Sequence, residues 1–435
     1  MKKISLFFTT LLMVFVSVNT LDAKTIEVAS TDDLSAKIGE AEEGDTLVLE
    51  DGTYTGNITI DKALTIEGSS KEDTIIVGQI TVTDNFDMKN VTVIDKHVNG
   101  TYKNVVAITT PELVVNFDNV NVNVKDYVAD KDYKTGVSGI IVDADANGTK
   151  LTITNSKVNA TYGIYVKSEK NTIKIESSIV SGWAALDITT SEGVLQNNNK
   201  VTVKNSTLYG TSYVPKDSYN NYGVVVIGSQ KDLSLTITDS TIKNNIVTEN
   251  RIDLIYFGDY YEDSETSIIT LNNVKLENND TNGESTKVNF ATEGNALGGQ
   301  IFIIDEKTNL DMTTDADMVG STGHVFNLSS LDGVASMIVP DKFVVTADAL
   351  EVGTVEGYEF KGWYTDAEYK NEFLAGTEIT EDTTIYAYFV EIVEDTTPDI
   401  NNPQTGDNVL VFFLVGLISL VGFVGGSVYF LKHQN

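Results

Sequence analysis

The phrases LTITNSKV (151–158), IKIESSIV (173–180), VTVKNSTL (201–208) and LTITDSTI (235–242) decide the fold. Each is an alternating apolar strand, a small polar residue and the start of a second strand. Residues two apart share one face of a strand, so Leu151 and Ile153 point to one side and Thr152 and Thr154 to the other. The phrase recurs as DMKNVTV (87–93), NFDNVNV (116–122) and ITLNNVKL (269–276). Its turn residues are Asn90, Asn119, Asn155, Ser177, Asn205, Asp239 and Asn273, separated by 29, 36, 22, 28, 34 and 34 residues. Such recurrence marks a solenoid: the shortest step is one bare coil, and the longer steps are the same coil carrying surface loops. Asn and Asp tolerate the left-handed conformation of a sharp corner, and stacked about 4.8 Å apart they hydrogen-bond as a ladder.

A second phrase, glycine followed by an alternating strand, appears as SGIIVDA (138–144), YGIYVKS (162–168), GWAALDI (182–188) and YGVVVIG (222–228) and reads as another wall of the same coil. Upstream, TDDLSAKIGEA (31–41) spaces Leu34, Ile38 and Ala41 for a short helix behind a Thr/Asp cap. Short strands then follow in GDTLVLEDGTY (44–54), LTIEG (64–68) and TIIVG (74–78). This opening resembles the first coils of the right-handed parallel β-helix, the pectin-lyase-like fold, in which a capping helix plugs the end of the stack. The rival is a string of antiparallel sandwiches with hairpins at Asp51-Gly52, Asn99-Gly100, Asn147-Gly148 and Asn282-Gly283. Sandwich strands would not repeat one phrase, so the β-helix is expected over 24–305.

Beyond a connecting segment (306–335), GYEFKGWYTDAEYKNEF (357–373) and TEITEDTTIYAYF (377–389) resemble the internalin-type B repeat. The resemblance implies a small β-grasp-like module over 336–390, with Trp363 and Phe360 as core aromatics and a spacer or weakly adhesive role. Residues 391–402 read as a linker.

The two ends carry addresses. Residues 1–23 have the charged, apolar and small-residue layout of a secretory signal cleaved after Ala23. Residues 409–431 hold no charge and are long enough to span a bilayer as a C-terminal transmembrane helix, ahead of a short basic tail at Lys432. Just upstream stands Asn402-Pro403-Gln404-Thr405-Gly406. The order resembles the LPxTG-type cell-wall sorting signal in an NPQTG variant (402–435). That resemblance implies a sortase as partner, and covalent attachment of Thr405 to the peptidoglycan of a Gram-positive cell wall once Gly406 leaves.

Composition narrows the function classes. Thirty Lys plus Arg stand against 63 Asp plus Glu, a net charge of −33, and the only arginine is Arg251. Nucleic acid is excluded as a partner, because phosphate neutralisation needs clustered bases. No cysteine is present, so neither disulfides nor a zinc-thiolate site is available.

The β-helix resemblance leaves two functions open. One is a wall-anchored adhesin that binds a host glycan or matrix protein; the other is a polysaccharide lyase or glycoside hydrolase. A lyase needs a base and a cation for the uronate carboxylate, and a hydrolase needs facing carboxylates. The lone Arg251 beside Asp253, and His97 and His324 far apart, make no such cluster. No catalytic residue is therefore assigned. Tyrosine and acid gather in SYVPKDSYNNY (212–222) and FGDYYEDSE (257–265). Tyr213, Tyr219, Tyr222, Asp259, Tyr260 and Tyr261 are the candidate glycan contacts, because loops from adjacent coils leave on one side; solvated loop aromatics are the alternative. No cofactor is expected apart from a possible Ca2+: Asp143, Asp145 and Asn147 alternate as oxygen ligands ahead of Gly148. The twelfth position is Thr154, not a bidentate glutamate, so a plain polar turn stands beside the calcium reading.

Overall fold

The computed structural model describes residues 23–96, 103–125, 137–189, 195–210, 221–228, 230–244, 251–258, 267–278, 288–290, 300–310, 318–319, 323–340 and 342–392. Three parallel sheets run through the first three hundred residues, and each circuit of chain adds one strand to each. One such circuit is Lys150–Thr154 on the first wall, Lys157–Asn159 on the second and Tyr162–Val166 on the third. The chain then returns to the first wall at Thr172–Glu176, directly beside Lys150–Thr154 in parallel register. This is a parallel β-helix, and period-two alternation builds its interior. Leu151 and Ile153 stack on Ile173 and Ile175, then on Val201 and Val203, then on Leu235 and Ile237. All are at most 1% exposed. Each buried aliphatic side chain contributes about 1.5–3 kcal/mol.

The corner between the first and second walls is built at the seven expected positions. Asn90, Asn119, Asn155, Ser177, Asn205, Asp239 and Asn273 all have φ between 49° and 55°. The ladder is real as well: Asn119 Nδ2 donates to Asn90 Oδ1 at 2.7 Å and Asn273 Nδ2 to Asp239 Oδ1 at 2.7 Å. Asn155 reaches instead to Asp118 Oδ1 at 2.9 Å, where Thr154 also donates at 2.9 Å. Those two bonds, from Asn155 and then Thr154, hold the Asp118 carboxyl below the usual carboxylate range. Behind this corner runs a second, buried ladder of Ser156, Ser178, Ser206 and Ser240. Each hydroxyl donates to the carbonyl two residues earlier, and from Ser178 on each accepts the N–H of the preceding serine at 3.0–3.1 Å. Every buried hydroxyl of the ladder is thereby satisfied.

The helix falls at Leu34–Glu40, and its cap is Asp33, whose carboxylate accepts from Ser35 N and Ala36 N. Leu34 and Ile38 close the interior at this end. Lys62 Nζ satisfies the helix C-terminus by donating to Ile38 O and Ala41 O at 3.1 and 3.0 Å. Beneath it the hydroxyl of buried Tyr54 donates to Val28 O at 2.8 Å, and burial pushes its pKa up to about 12.

At the other end the first wall does not stop. Its last coil strand, Gln300–Ile304, pairs antiparallel with Gly333–Val339, which pairs with His324–Ser330, and that strand lies parallel to Thr383–Glu391. The stretch 306–335, expected as a connection, therefore holds His324–Ser330 and the start of its partner strand. Met318–Val319 also adds a strand to the third wall beyond 305. The two cores interlock across the join: Ile338 packs in the helix interior, and Ile301 packs with Phe326, Trp363, Phe373 and Ile385. Trp363 is a core residue as expected, 5% exposed, with Nε1 donating to Leu350 O at 2.8 Å. Phe360 sits only at the edge of that core: the register shift between Phe360 and Gly362 brings it to the same face as Trp363, and its ring meets Trp363 at 5.9 Å and Phe389 at 5.4 Å, but it remains 36% exposed.

Candidate functional site: the outer face of the third wall

The third wall departs from simple alternation. Ala185 and Leu186 both point into the interior, as do Val224 and Val225, and Leu254 and Ile255. The wall bends at each pair, and the residues on either side of the bend face outward. One outward row runs Ala107, Ile141, Tyr165, Asp187, Val226 and Tyr256, in successive register. A second runs Asn104, Ser138, Tyr162 and Ala184.

These rows bring together aromatic rings and a carboxylate. Tyr162 and Tyr165 are both part-exposed, and they stack with centroids 5.2 Å apart and planes at 27°. Trp183 meets Tyr162 edge-on at 5.9 Å. Lys167 Nζ lies 5.7 Å from the Tyr165 ring centre. One strand on, Asp187 is 1% exposed and accepts from Thr189 Oγ1 at 2.6 Å. Farther along, Gly223 leaves room for Tyr256: a Cβ on Gly223 would stand 2.7 Å from Tyr256 Cβ. Part-exposed ring faces such as Tyr162 and Tyr165 suit the C–H faces of a sugar, while Asp187 lies buried beneath them.

The expected contacts fall as follows. Tyr213, Tyr219, Asp259, Tyr260 and Tyr261 lie outside the described residues. Tyr222 is on the third-wall strand Asn221–Gly228, opposite Ile252. The described ends of both tyrosine-rich stretches, Asn221 and Gly258, thus belong to this wall. The sorting residues Asn402, Pro403, Gln404, Thr405 and Gly406, the signal stretch up to Asp22 and the span 409–431 are likewise outside the described residues. Among the described residues no helix is long and apolar enough to cross a membrane.

Asp143, Asp145 and Asn147 sit at a corner leading to the first wall. Asp143 Oδ1 accepts from Ala144 N at 2.8 Å, and Asn147 Oδ1 accepts from Glu169 N of the next coil at 3.0 Å. The amide oxygen thus serves the stack. Among the described residues no group of three His, Cys, Asp or Glu is arranged to hold a metal ion.

The Tyr162, Tyr165, Trp183 and Asp187 cluster was not foreseen, although all four lie in quoted phrases. A 22-residue step sets YGIYVKS over the strand containing Asp187, with Tyr165 opposite it. Stacking the phrases, instead of reading each as a strand, is the signal that exposes the cluster.

Residues 331–388 match the Listeria-Bacteroides repeat domain. No curated protein matches the chain. Among solved structures the chain is similar to the PL6 family alginate lyase AlyGC, at 17% identity over 58% of this chain and 40% of that one, with a TM-score of 0.28. It therefore spans well under half of that lyase. It is also similar to a pectin methylesterase in complex with a hexasaccharide, at 11% identity, 57% and 77% coverage and a TM-score of 0.33. A third is ORF18 of Geobacillus virus E2, at 10% identity, 78% and 67% coverage and a TM-score of 0.35.

Proposed function

We propose that this is an extracellular surface protein that binds polysaccharide on the outer face of the third wall. It is secreted through its N-terminal signal and held to the cell wall through Thr405. The observation that carries the binding half is the stacked Tyr162 and Tyr165 pair, flanked by Lys167 and Asp187. The Listeria-Bacteroides repeat domain supports the surface setting.

Hydrolysis has less support. Asp187 and Asp253 are the carboxylates of this wall, two strands and three residues apart along the ladder. Strand geometry puts their Cα atoms about 14 Å apart, whereas glycosidases hold their carboxyl pair about 5–9.5 Å apart.

The test is retention of the full-length chain on a panel of immobilised neutral and uronate polysaccharides. Tyr162→Ala with Tyr165→Ala is expected to weaken retention about tenfold or more, since each lost ring contact costs about 1 kcal/mol. Undiminished retention, or release of reducing or unsaturated sugar ends by the wild-type chain, would overturn the reading. For the anchoring half, Thr405→Ala is expected to shift the protein from the wall fraction to the membrane fraction. Wall-linked protein at wild-type levels would exclude it.

A further inference from the structure

The repeat module carries its own aromatic surface, on the side of its sheet opposite the core. Tyr358–Tyr364 and Thr383–Glu391 pair antiparallel, with Trp363, Ile385 and Ala387 buried on one face. Tyr364 and Tyr388 occupy the other face and are joined by Tyr369 from the loop after Tyr364. The Tyr369 and Tyr388 rings stack at 4.6 Å and 27°, and Tyr364 stands edge-on to both, at 5.7 and 5.9 Å.

This arrangement is held at a cost. Tyr369 has φ 58°, a left-handed conformation that a bulky side chain rarely adopts. Asp366 imposes it. Its carbonyl accepts from Tyr369 N at 3.1 Å, and its carboxylate accepts from Lys370 N at 3.1 Å and from Asn371 N at 2.9 Å. Tyr369 is held in this conformation against two neighbouring rings while 39% of it stays exposed, so the clustered ring faces remain open to a ligand. Gly362 lies opposite Tyr388, and a Cβ there would be in ordinary contact with Tyr364 and Glu372, at 3.6–3.9 Å, so Glu372 stands beside the rings. Glu372 is exposed at that edge.

Charge selects the ligand. Between residues 323 and 392 the acids outnumber Lys by 13 to 3, and no Arg occurs there. Among the described residues no cation sits over Tyr364, Tyr369 or Tyr388. We propose that this platform binds a cationic side chain, a lysine or arginine on a basic segment of a partner protein, with the charge over the tyrosine faces and Glu372 at the rim. Ring quadrupoles and the surrounding carboxylates both attract such a group, whereas a neutral sugar gains nothing from the acid excess.

The experiment uses the full-length chain and a fluorescent oligolysine peptide at physiological salt. Net charge alone draws this peptide to the protein, so the informative variants leave charge untouched. The pair Tyr369→Ala and Tyr388→Ala is expected to weaken binding about tenfold, two cation–π contacts of roughly 0.7 kcal/mol each. Tyr369→Phe with Tyr388→Phe is expected to retain it, because the ring faces remain. Tyr369→Leu with Tyr388→Leu keeps the apolar bulk and is expected to behave like the alanine pair, which separates ring chemistry from a folding defect. Equal binding by wild type and the leucine pair would overturn the proposal. So would loss of a neutral oligosaccharide, instead of the peptide, in the alanine pair. The third-wall tyrosines are intact in all of these variants, so polysaccharide retention there reports separately on that site.

Discussion

A chain ended after Leu310 is expected to self-associate and to unfold at a much lower temperature than one ended after Ile392. The first wall of the β-helix finishes on Gln300–Ile304, and the edge of that strand is covered by Gly333–Val339 through the pairs Phe302 with Ile338, Ile303 with Met337 and Ile304 with Ser336. Removing the module uncovers a row of backbone donors and acceptors on a strand whose inward side chains, Phe302 and Ile304, are at most 3% exposed in the intact protein. An open, apolar edge is a template for a second chain. It also strips Ile338 from the interior and separates Ile301 from Phe326 and Trp363. Two or three large side chains losing burial at about 1.5–3 kcal/mol each make the deficit about 5 kcal/mol. Light scattering after gel filtration and a thermal melt check both halves. Equal mass and equal melting of the two chains would mean that the module only hangs from the helix and does not close it.

That closing role was hidden in the sequence, for a physical reason. GYEFKGWY and TIYAYF identify the module by its own core, and nothing in them declares that the strand ahead of them would pair with the last coil. The corners of the coil were legible in the same uneven way. Seven corners announced themselves because Asn, Asp and Ser accept the left-handed conformation. The opposite corner, two residues before five successive first-wall strands, is equally left-handed, at Glu112, Gly148, Lys170, Asn198 and Asp232, with φ from 53° to 77°. There the turn is fixed by backbone bonds, such as Lys170 N to Asn197 O at 2.8 Å, and Glu and Lys tolerate it without showing a pattern. The glycine phrase misled by one residue. Gly182 belongs to the second wall, at the end of Ile179–Gly182, and Gly223 aligns with Asp253 while Val224 takes the inward place. Two consecutive inward residues break the two-residue period, and periodicity cannot report its own interruption. The candidate site was masked by the same habit, since Tyr162 and Tyr165 inside a strand phrase read as wall residues.

Gly163→Val is expected to be among the most damaging single substitutions in the chain, although it adds only three carbons. Gly163 stands where the second wall turns into the third, between two stacked neighbours. A Cβ there would lie 2.5 Å from Ala185 O, 2.6 Å from Val180 Cγ1 and 3.2 Å from Ser181 O. Two of those atoms are backbone and belong to the next coil, so the clash cannot be relieved by turning a side chain. The coil spacing itself would have to grow, and the parallel pairs of Tyr162–Val166 with Ala184–Ile188 would stretch. Overpacking typically costs about 1–3 kcal/mol, and this clash, being with backbone at 2.5 Å, belongs above that range. A loss of about 4 kcal/mol is therefore expected in a denaturant titration, along with damage to the Tyr162 and Tyr165 surface carried on the same strand. Gly39→Ala supplies the opposite sign. Gly39 is in the capping helix, nothing lies within 4 Å of the point where an alanine methyl would stand, and alanine gains about 0.5–1 kcal/mol there from helix propensity. If Gly163→Val melted like wild type, the coils would be loose enough to absorb a branched side chain, and the close stacking that fixes both walls would be the wrong account of this fold.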